Sequence, residues 1–238
     1  MNIALLLSGG TGTRLGTEVP KQYIEVGGRP VFFYGMETLL RHDRIDGIQM
    51  VADPYWREWI VGWRKTVGSR LWDQKFRGFS DPGENRQMSI WHGLDDIRRY
   101  AANSDHVLIH DAARPMLSAN MVTGCLDAVL GHAGVMPVLP MRDTVYYSSD
   151  GMTVGKLLDR GRIYAGQAPE AFRLGEYYEA NQQLLPDQIL KVNGSAEPAV
   201  MAGMEVIMIP GDEGNFKITT KADLVRFCKI IGEFRLSL

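Results

Sequence analysis

Residues 3–16 have the sequence IALLLSGGTGTRLG, from Ile3 to Gly16. The five apolar residues that end at Leu7 predict a short buried strand. The glycines that follow predict a tight turn directly after that strand. Open α/β sheets bind their ligands at the carboxyl ends of the strands. This stretch therefore predicts an α/β fold with a binding site that begins at Leu7.

The rest of the chain repeats the pattern of short apolar runs separated by amphipathic segments. Near-continuous apolar strands that alternate with helices indicate a mostly parallel sheet covered on both faces. We predict an α/β fold with a doubly wound, Rossmann-like sheet in a single domain over residues 1–238. The predicted strands are 3–7, 45–52, 106–110, 134–139 and 204–210, and the predicted helices are 54–67, 84–100, 119–130 and 220–232.

One segment, residues 142–168, lacks the helical period. Within it, residues 144–147 and 163–164 predict short strands, and Ser148-Ser-Asp-Gly151 predicts a hairpin turn between them. We predict a β-arm inserted in the α/β core. Because the exposed edges of such an arm are commonly covered by a partner subunit, the arm also predicts a homodimer.

The composition excludes several classes of protein. Hydrophobic residues make up 45% and charged residues 23% of the 238 residues, and the net charge is −2. A global basic field that would attract nucleic acid or an anionic membrane is therefore absent from the sequence. The two cysteines, Cys125 and Cys228, do not indicate a secreted disulfide framework, and no apolar run reaches the length of a membrane span. The predicted location is the cytoplasm.

The glycine-rich stretch after Leu7 has a chemical interpretation. Consecutive backbone N–H groups in such a turn can surround phosphate oxygens. The stretch lacks the Gly-Lys-Ser/Thr ending of a P-loop, and Leu15 occupies the third glycine position of a dinucleotide fingerprint. A purely structural turn is the alternative.

Two basic residues, Arg14 and Lys21, lie within and shortly after this turn. Fixed cations stabilise the negative charge of a triphosphate and of the transition state in phosphoryl chemistry. Either residue alone would suggest an ordinary surface position. Together with the turn they predict transfer of a nucleotide from a nucleoside triphosphate to a small phosphorylated substrate.

Four motifs then give a specific resemblance. They are Ser8–Gly16 with Pro20-Lys-Gln22, Gly83-Glu-Asn-Arg-Gln-Met-Ser89, His110-Asp-Ala-Ala-Arg-Pro115 and Asn215-Phe-Lys-Ile-Thr-Thr220. In this order they resemble the signature of the sugar- and polyol-phosphate nucleotidyltransferases. Within that group the chain resembles the cytidylyltransferases that act on 2-C-methyl-D-erythritol 4-phosphate, in isoprenoid biosynthesis, or on ribitol 5-phosphate. The resemblance runs from about residue 3 to residue 231.

The resemblance implies a site for CTP and Mg²⁺. It implies catalytic roles for Arg14, Lys21 and Lys217, and contact of Asp111 with the magnesium ion, for which a helix N-cap is the alternative. For Arg114, a contact to the ribose and a bracing role both stay open. The implied nucleotide-binding residues are Leu7, Ser8, Gly9, Gly10, Thr11, Gly12, Thr13, Gly83, Glu84, Ser89, Asp111, Ala112 and Arg114.

The resemblance also implies how the acceptor, a polyol phosphate, is bound. Asp111, Thr144 and Arg160 match the positions that reach it, the latter two from the neighbouring subunit. The chain departs from the family at residues 193–196, where Asn-Gly-Ser-Ala replaces Thr-Asp-acid-Ala, and at Ala168, where the family has threonine. Both departures are expected near the acceptor and not near CTP. They therefore leave open which polyol phosphate is the acceptor.

Two alternative functions follow from the same residues. One is a sugar-1-phosphate nucleotidyltransferase that uses another base. The other is a non-catalytic nucleotide-binding homologue. The presence of Arg14, Lys21, Asp111 and Lys217 favours an enzyme over the latter.

Overall fold

A computed structural model of the chain describes residues 1–10, 16 and 19–232. Its strands are β1 (Asn2–Leu7), β2 (Glu25–Val26), β3 (Arg29–Pro30), β4 (Gly47–Val51), β5 (Phe76–Ser80), β6 (His106–Asp111), β7 (Gly134–Pro140), β8 (Val145–Tyr147), β9 (Lys156–Leu158), β10 (Tyr164–Gly166), β11 (Glu170–Arg173) and β12 (Val206–Pro210). Its α-helices are α1 (Val31–Arg41), α2 (Pro54–Gly62), α3 (Arg64–Val67), α4 (Ser69–Lys75), α5 (Arg86–Ile97), α6 (Ala119–Ala128), α7 (Leu174–Gln182), α8 (Ala196–Met201) and α9 (Lys221–Ile231).

A large sheet of eight strands forms the centre of the fold. Its order is β10-β7-β11-β6-β1-β4-β5, and β12 also pairs with β7. The pairs β1–β4, β1–β6, β4–β5 and β7–β12 are parallel, whereas β10 and β11 run antiparallel to their neighbours. The predicted α/β fold with a mostly parallel sheet is confirmed.

Helices cover both faces of this sheet, and β1 shows why its sequence is apolar throughout. Alternate residues of a strand point to opposite faces. Ala4 and Leu6 pack in the cluster that contains α1 and α6, while Ile3 and Leu5 pack in the cluster that contains α5 and α7. Because both sets are fully buried, neither face of β1 tolerates polar side chains.

Two predicted elements differ in detail from the structure. The predicted helix over 54–67 is divided into α2 and α3 at Trp63, whose N–H donates to Ile60 O at 3.1 Å in a tighter turn. The predicted helix over 84–100 begins two residues later, because Asn85 caps it by accepting from the N–H of Met88 at 2.7 Å.

The strand pairing predicted for the arm is wrong. Strand β8 pairs with β9 and not with residues 163–164, and Tyr147 lies opposite Lys156. The connection is longer than the predicted turn because the Asp150 carboxylate closes it by accepting from the N–H groups of Met152 and Thr153, both at 2.9 Å. Strand β10 instead extends the central sheet by pairing with β7.

No helix in the described part of the chain is long and apolar enough to cross a membrane.

Candidate active site

A cavity of about 360 Å³ lies where β1 and β6 end. Parallel strands that are neighbours in a sheet bring their carboxyl ends together, so residues distant in sequence meet there. Its size lies within the usual range for small-molecule sites. The lining residues are Leu7, Gly9, Gly10, Lys21, Gln22, Gly83, Glu84, Asn85, Arg86, Ser89, Asp111, Ala113 and Lys217.

The first wall is the start of the glycine-rich turn. A side-chain carbon on Gly9 would lie 2.6 Å from Cβ of Pro82, so only glycine allows this approach between two loops. Gly10 faces open space. The predicted nucleotide-binding residues Thr11, Gly12 and Thr13 and the predicted catalytic residue Arg14 lie outside the described residues.

Gln22, to which the sequence analysis gave no role of its own, and Tyr23 hold this turn in place. Gln22 donates from Nε2 to the carbonyl oxygens of Ser8, at 2.8 Å, and Gly10, at 2.6 Å. The hydroxyl of Tyr23 donates to Ser8 O at 2.9 Å. These bonds satisfy two carbonyl groups of the turn. They also place the short 3-10 helix Lys21–Tyr23 beside the turn, so that Lys21 lines the cavity.

The second wall is the loop that leads into α5. The N–H of Gly83 donates to Ser89 Oγ at 2.9 Å, and this hydroxyl donates to Asn85 O at 2.9 Å. A side-chain carbon on Gly83 would lie 2.5 Å from Cβ of Met88, so the loop packs tightly on the first turn of its own helix. The predicted residues Gly83, Glu84 and Ser89 all line the cavity, close to a helix N-terminus that favours negative charge.

Asp111 gathers three basic side chains at the end of β6. Its Oδ1 lies 3.0 Å from Arg86 Nε, and its Oδ2 lies 3.0 Å from Lys217 Nζ and 3.6 Å from Arg114 Nε. Burial raises the pKa of Asp111, but the charges of Arg86, Lys217 and Arg114 more than offset this effect and hold the pKa far below its usual value. The Asp111 carboxylate is therefore ionised at neutral pH. The three basic side chains around it carry more positive charge than this one carboxylate neutralises.

The neighbours of Asp111 in sequence have structural contacts. Ala112 is buried and its N–H donates to Leu7 O at 3.0 Å, which ties the ends of β6 and β1 together. Arg114 donates from Nη1 to Asn215 O at 2.7 Å and so braces the loop that carries Lys217. The contact to the ribose that was also left open for Arg114 stays a prediction.

Thr144 and Arg160 do not line the cavity of their own chain. Both are exposed, and Arg160 donates from Nη1 to Arg142 O at 2.8 Å within the arm. Their predicted role in acceptor binding requires a second subunit and stays a prediction.

The residues at which the chain departs from the family pattern lie close to Asp111 and the basic side chains around it. Ser195 is 1% exposed, and its Oγ accepts from Arg86 Nη1 at 2.6 Å. Glu197 turns toward its own loop instead, where it accepts from the N–H of Gly194 at 2.9 Å. Ala168 is buried, and its carbonyl oxygen accepts from Asn215 Nδ2 at 2.7 Å.

Arg86 is the charged residue that the sequence analysis missed. Its motif, residues 83–89, was recognised, but nothing in the spacing shows that the Arg86 guanidinium turns toward Asp111. The only signal for this role in the sequence was that Arg86 is a basic residue in a motif whose other predicted contacts come from small or backbone groups. Within the described ranges, no group of three or more His, Cys, Asp or Glu side chains could hold a metal ion.

Comparison with known proteins gives a consistent result. The family model described as IspD, 2-C-methyl-D-erythritol 4-phosphate cytidylyltransferase, matches residues 2–233. The 2-C-methyl-D-erythritol 4-phosphate cytidylyltransferase of Geobacillus thermodenitrificans is 31% identical over 222 residues, which cover 93% of each chain. The ribitol-5-phosphate cytidylyltransferase of Streptococcus agalactiae is 26% identical over 228 residues, covering 95% of this chain and 93% of the relative.

The structural comparison agrees with the sequence comparison. The crystal structure of the 4-diphosphocytidyl-2C-methyl-D-erythritol synthase of Anaerococcus prevotii superposes with a TM-score of 0.80 at 25% identity, covering 98% of this chain and 96% of the other. The chain spans about half the length of bifunctional IspD/IspF relatives that it also matches, 54% in one example.

Proposed function

Because the chain belongs to the IspD family of 2-C-methyl-D-erythritol 4-phosphate cytidylyltransferases, we propose that it transfers a cytidylyl group from CTP to a polyol phosphate and releases pyrophosphate. The observation that carries this proposal is the cavity at the ends of β1 and β6. There the glycine-rich turn, Lys21 and Lys217 surround one space, and Asp111 fixes Lys217 at 3.0 Å. Such a concentration of fixed positive charge suits a triphosphate.

The nucleotide is bound between the two walls of the cavity. The segment that begins at Leu7 binds the phosphates and part of the base, and Thr11, Gly12 and Thr13 are among its proposed contacts. Gly83, Glu84 and Ser89 bind the cytosine end, because short loop groups can pair with its amino and carbonyl groups and exclude a larger purine. The tight packing of Gly83 on Met88 supports this role, since it makes the wall rigid.

The reaction is an in-line displacement. A phosphate oxygen of the acceptor forms a bond to the α-phosphorus of CTP, and the bond from that phosphorus to the bridging oxygen of the β-phosphate breaks. Pyrophosphate leaves with the electron pair. Lys21, Lys217 and Arg14 stabilise the charge that develops on the phosphorus and on the leaving group. No protein base is needed, because the attacking phosphate is already ionised at neutral pH.

A magnesium ion fits this site only as an ion carried by the nucleotide. Magnesium prefers oxygen ligands and is usually held by one or two carboxylates together with substrate phosphates. Asp111 can supply one oxygen, although both of its oxygens already face cations. When bound, the ion neutralises phosphate charge. This chain's own contribution is to hold Asp111 ionised.

The acceptor reaches the cavity with help from a second subunit. The arm exposes apolar side chains, including Tyr146 (56% exposed) and Leu157 (61% exposed), which supports a partner-covered arm in a homodimer. In that dimer Thr144 and Arg160 bind the acceptor, because the arginine fork suits a phosphate. Both 2-C-methyl-D-erythritol 4-phosphate and ribitol 5-phosphate are candidate acceptors, and the cytoplasm is the proposed location.

A pyrophosphate-release assay tests the proposal. CTP, UTP, ATP and GTP are each combined with 2-C-methyl-D-erythritol 4-phosphate, ribitol 5-phosphate or a sugar 1-phosphate, with Mg²⁺ present. We expect release with CTP and one of the two polyol phosphates. Release only with another nucleotide and a sugar 1-phosphate would support the alternative transferase, and no release in any combination would support a non-catalytic homologue.

A further inference from the structure

Residues 211–217, which we call the lysine loop, follow β12 and carry Lys217. The start of this loop is bound to one side chain from another part of the chain. The N–H of Asp212 donates to Gln167 Oε1 at 2.9 Å, and Gln167 Nε2 donates back to Asp212 O at 2.9 Å. Because the amide of Gln167 is acceptor and donor to the same residue, it fixes both the position and the orientation of the Asp212 backbone.

The Gln167 side chain is enclosed where it meets the lysine loop. Gln167 is 5% exposed, and its backbone N–H donates to Pro137 O at 2.8 Å, which anchors it to β7. A side-chain carbon on Gly211 would lie 2.4 Å from Gln167 Oε1, so a larger residue there would displace the amide. A buried amide that is hydrogen-bonded through both its oxygen and its nitrogen is costly to displace. Gln167 is therefore a firm support for the start of the lysine loop.

Further hydrogen bonds extend this support along the loop toward Lys217. The N–H of Asn215 donates to Asp212 O at 3.0 Å. The side chain of Asn215 is fully buried, and its Nδ2 donates to the carbonyl oxygen of Ala168, the residue after Gln167, at 2.7 Å. Lys217 lies two residues after Asn215. The backbone that carries Lys217 is thus held to residues 167 and 168 at two points.

The position of the Lys217 ammonium group depends on this backbone. Its Nζ lies 3.0 Å from Asp111 Oδ2, which also faces Arg114 Nε at 3.6 Å. The lysine side chain is flexible, so a defined position requires both a fixed backbone and a fixed counter-ion. A cation stabilises developing charge only from where it is held, and a displacement of about 1 Å can lower a rate about 10²-fold.

We propose that Gln167 is a positioning residue, which sets the place of Lys217 at the cavity by holding the Asp212 backbone. This inference rests on the proposed function of Lys217 in the reaction. Gln167 is not among the residues that line the cavity, so it acts through the lysine loop. Loss of its two hydrogen bonds should therefore slow the chemical step and leave the binding of CTP nearly unchanged.

Steady-state kinetics with CTP and the accepted polyol phosphate test the proposal. Gln167→Met has nearly the same length and removes both hydrogen bonds, so kcat should fall about tenfold or more while the KM for CTP changes less than about threefold. Gln49→Met is the matched control. Gln49 is 3% exposed, its Nε2 donates to Ser80 Oγ at 2.9 Å, and its Oε1 accepts from the Tyr100 hydroxyl at 3.3 Å. Because neither partner belongs to the lysine loop, this variant should keep kcat within about twofold of wild type.

Acylation of Lys217 in the ligand-free protein gives a second readout, which requires no turnover. The amine must leave Asp111 before it reacts with an N-hydroxysuccinimide ester, and mass spectrometry measures its rate relative to that of the exposed Lys229 in α9. This ratio should rise about two- to fivefold in Gln167→Met, as expected for loss of a partly exposed ion pair. It should stay unchanged in Gln49→Met.

Either of two results would overturn the proposal. One is a fall in kcat of folded Gln167→Met that is smaller than about threefold or no larger than that of Gln49→Met. The other is an acylation ratio no higher than that of the control. If Gln167→Met does not fold, Gly211→Ala decides by the same limits, since it keeps every hydrogen-bonding group and pushes the amide away from Asp212.

The wild-type protein separates this proposal from the proposed function. Absence of CTP turnover by folded wild-type protein contradicts the proposed function. In that case the acylation ratio alone decides whether Gln167 sets the place of Lys217.

Discussion

Replacing Asp111 by asparagine removes the negative charge around which the cavity is built. Asparagine has nearly the same shape, so the change is mainly electrostatic. The charges of Arg86, Lys217 and Arg114 then lose their shared counter-ion, which now lies 3.0 to 3.6 Å from them. We expect Asp111→Asn to lower both the stability of the ligand-free protein and the rate of the reaction.

The size of the stability loss follows from burial. Breaking a buried ion pair by removing one partner costs about 3–5 kcal/mol. Asp111 is 10% exposed, but Arg86 and Lys217 are 28% and 31% exposed, so water compensates for part of the loss. We therefore expect the lower end, about 3 kcal/mol, which corresponds to a decrease in Tm of about 6–12 °C for a chain of this length.

Thermal unfolding with and without pyrophosphate measures this effect. An anion in the cavity replaces the missing negative charge, so pyrophosphate should raise the Tm of Asp111→Asn by more than it raises that of wild type. Asp95→Asn, which weakens an exposed pair with Arg99 and retains an oxygen that can accept from the Tyr178 hydroxyl, should change the Tm by less than about 3 °C. A Tm of Asp111→Asn within about 2 °C of wild type, or an equal response to pyrophosphate, would refute the electrostatic reasoning.

Four further outcomes are expected. Lys21→Ala should lower kcat about 10²–10³-fold with little change in Tm, because it removes charge stabilisation from the transition state, and a near-normal rate would exclude Lys21 from the mechanism. Arg160→Ala should raise the KM for the acceptor about tenfold and leave that for CTP unchanged, whereas equal effects on both would contradict the role of the arm. Gly83→Ala should raise the KM for CTP, because the added carbon would lie 2.5 Å from Cβ of Met88 and displace the wall, and an unchanged KM would show that this wall does not contact the nucleotide. Burial raises the pKa of Cys125 to about 12, so its thiol should resist an aromatic disulfide reagent at pH 8 until the protein is denatured. The thiol ionises at lower pH in the unfolded chain, so the free energy of unfolding should fall as pH rises from the ordinary pKa of 9.0 toward 12. Cys125→Ala should reduce this fall.

The central strands could be predicted from the sequence because their signal is local. In β1, apolar side chains fill both faces, and the glycines that follow end the strand. The local pattern gave no prediction for α1, whose sequence VFFYGMETLLR begins with residues that favour strands. Packing of Phe32 and Phe33 in the core decides this element, and the sequence does not display that packing.

The site was predictable where a motif carries the chemistry itself. Lys21, Asp111 and Lys217 were identified from motifs, and the structure brings them to one cavity. The contacts between motifs were not predictable. Arg86 belongs to α5 and Ser195 directly precedes α8, and only the folded chain brings these two residues into contact. The sequence analysis related the departure at residues 193–196 to the acceptor, but one of these residues, Ser195, contacts Arg86 in the structure.

The central claim is that the cavity around Asp111 and Lys217 binds CTP and promotes its attack by a polyol phosphate. The most direct test measures pyrophosphate and the CDP-polyol together, with folded protein, CTP, Mg²⁺ and each of the two polyol phosphates. The account predicts equimolar release of both products with CTP and one of these acceptors, and loss of both in Lys217→Ala. Folded protein that forms neither product from CTP with either acceptor would contradict it.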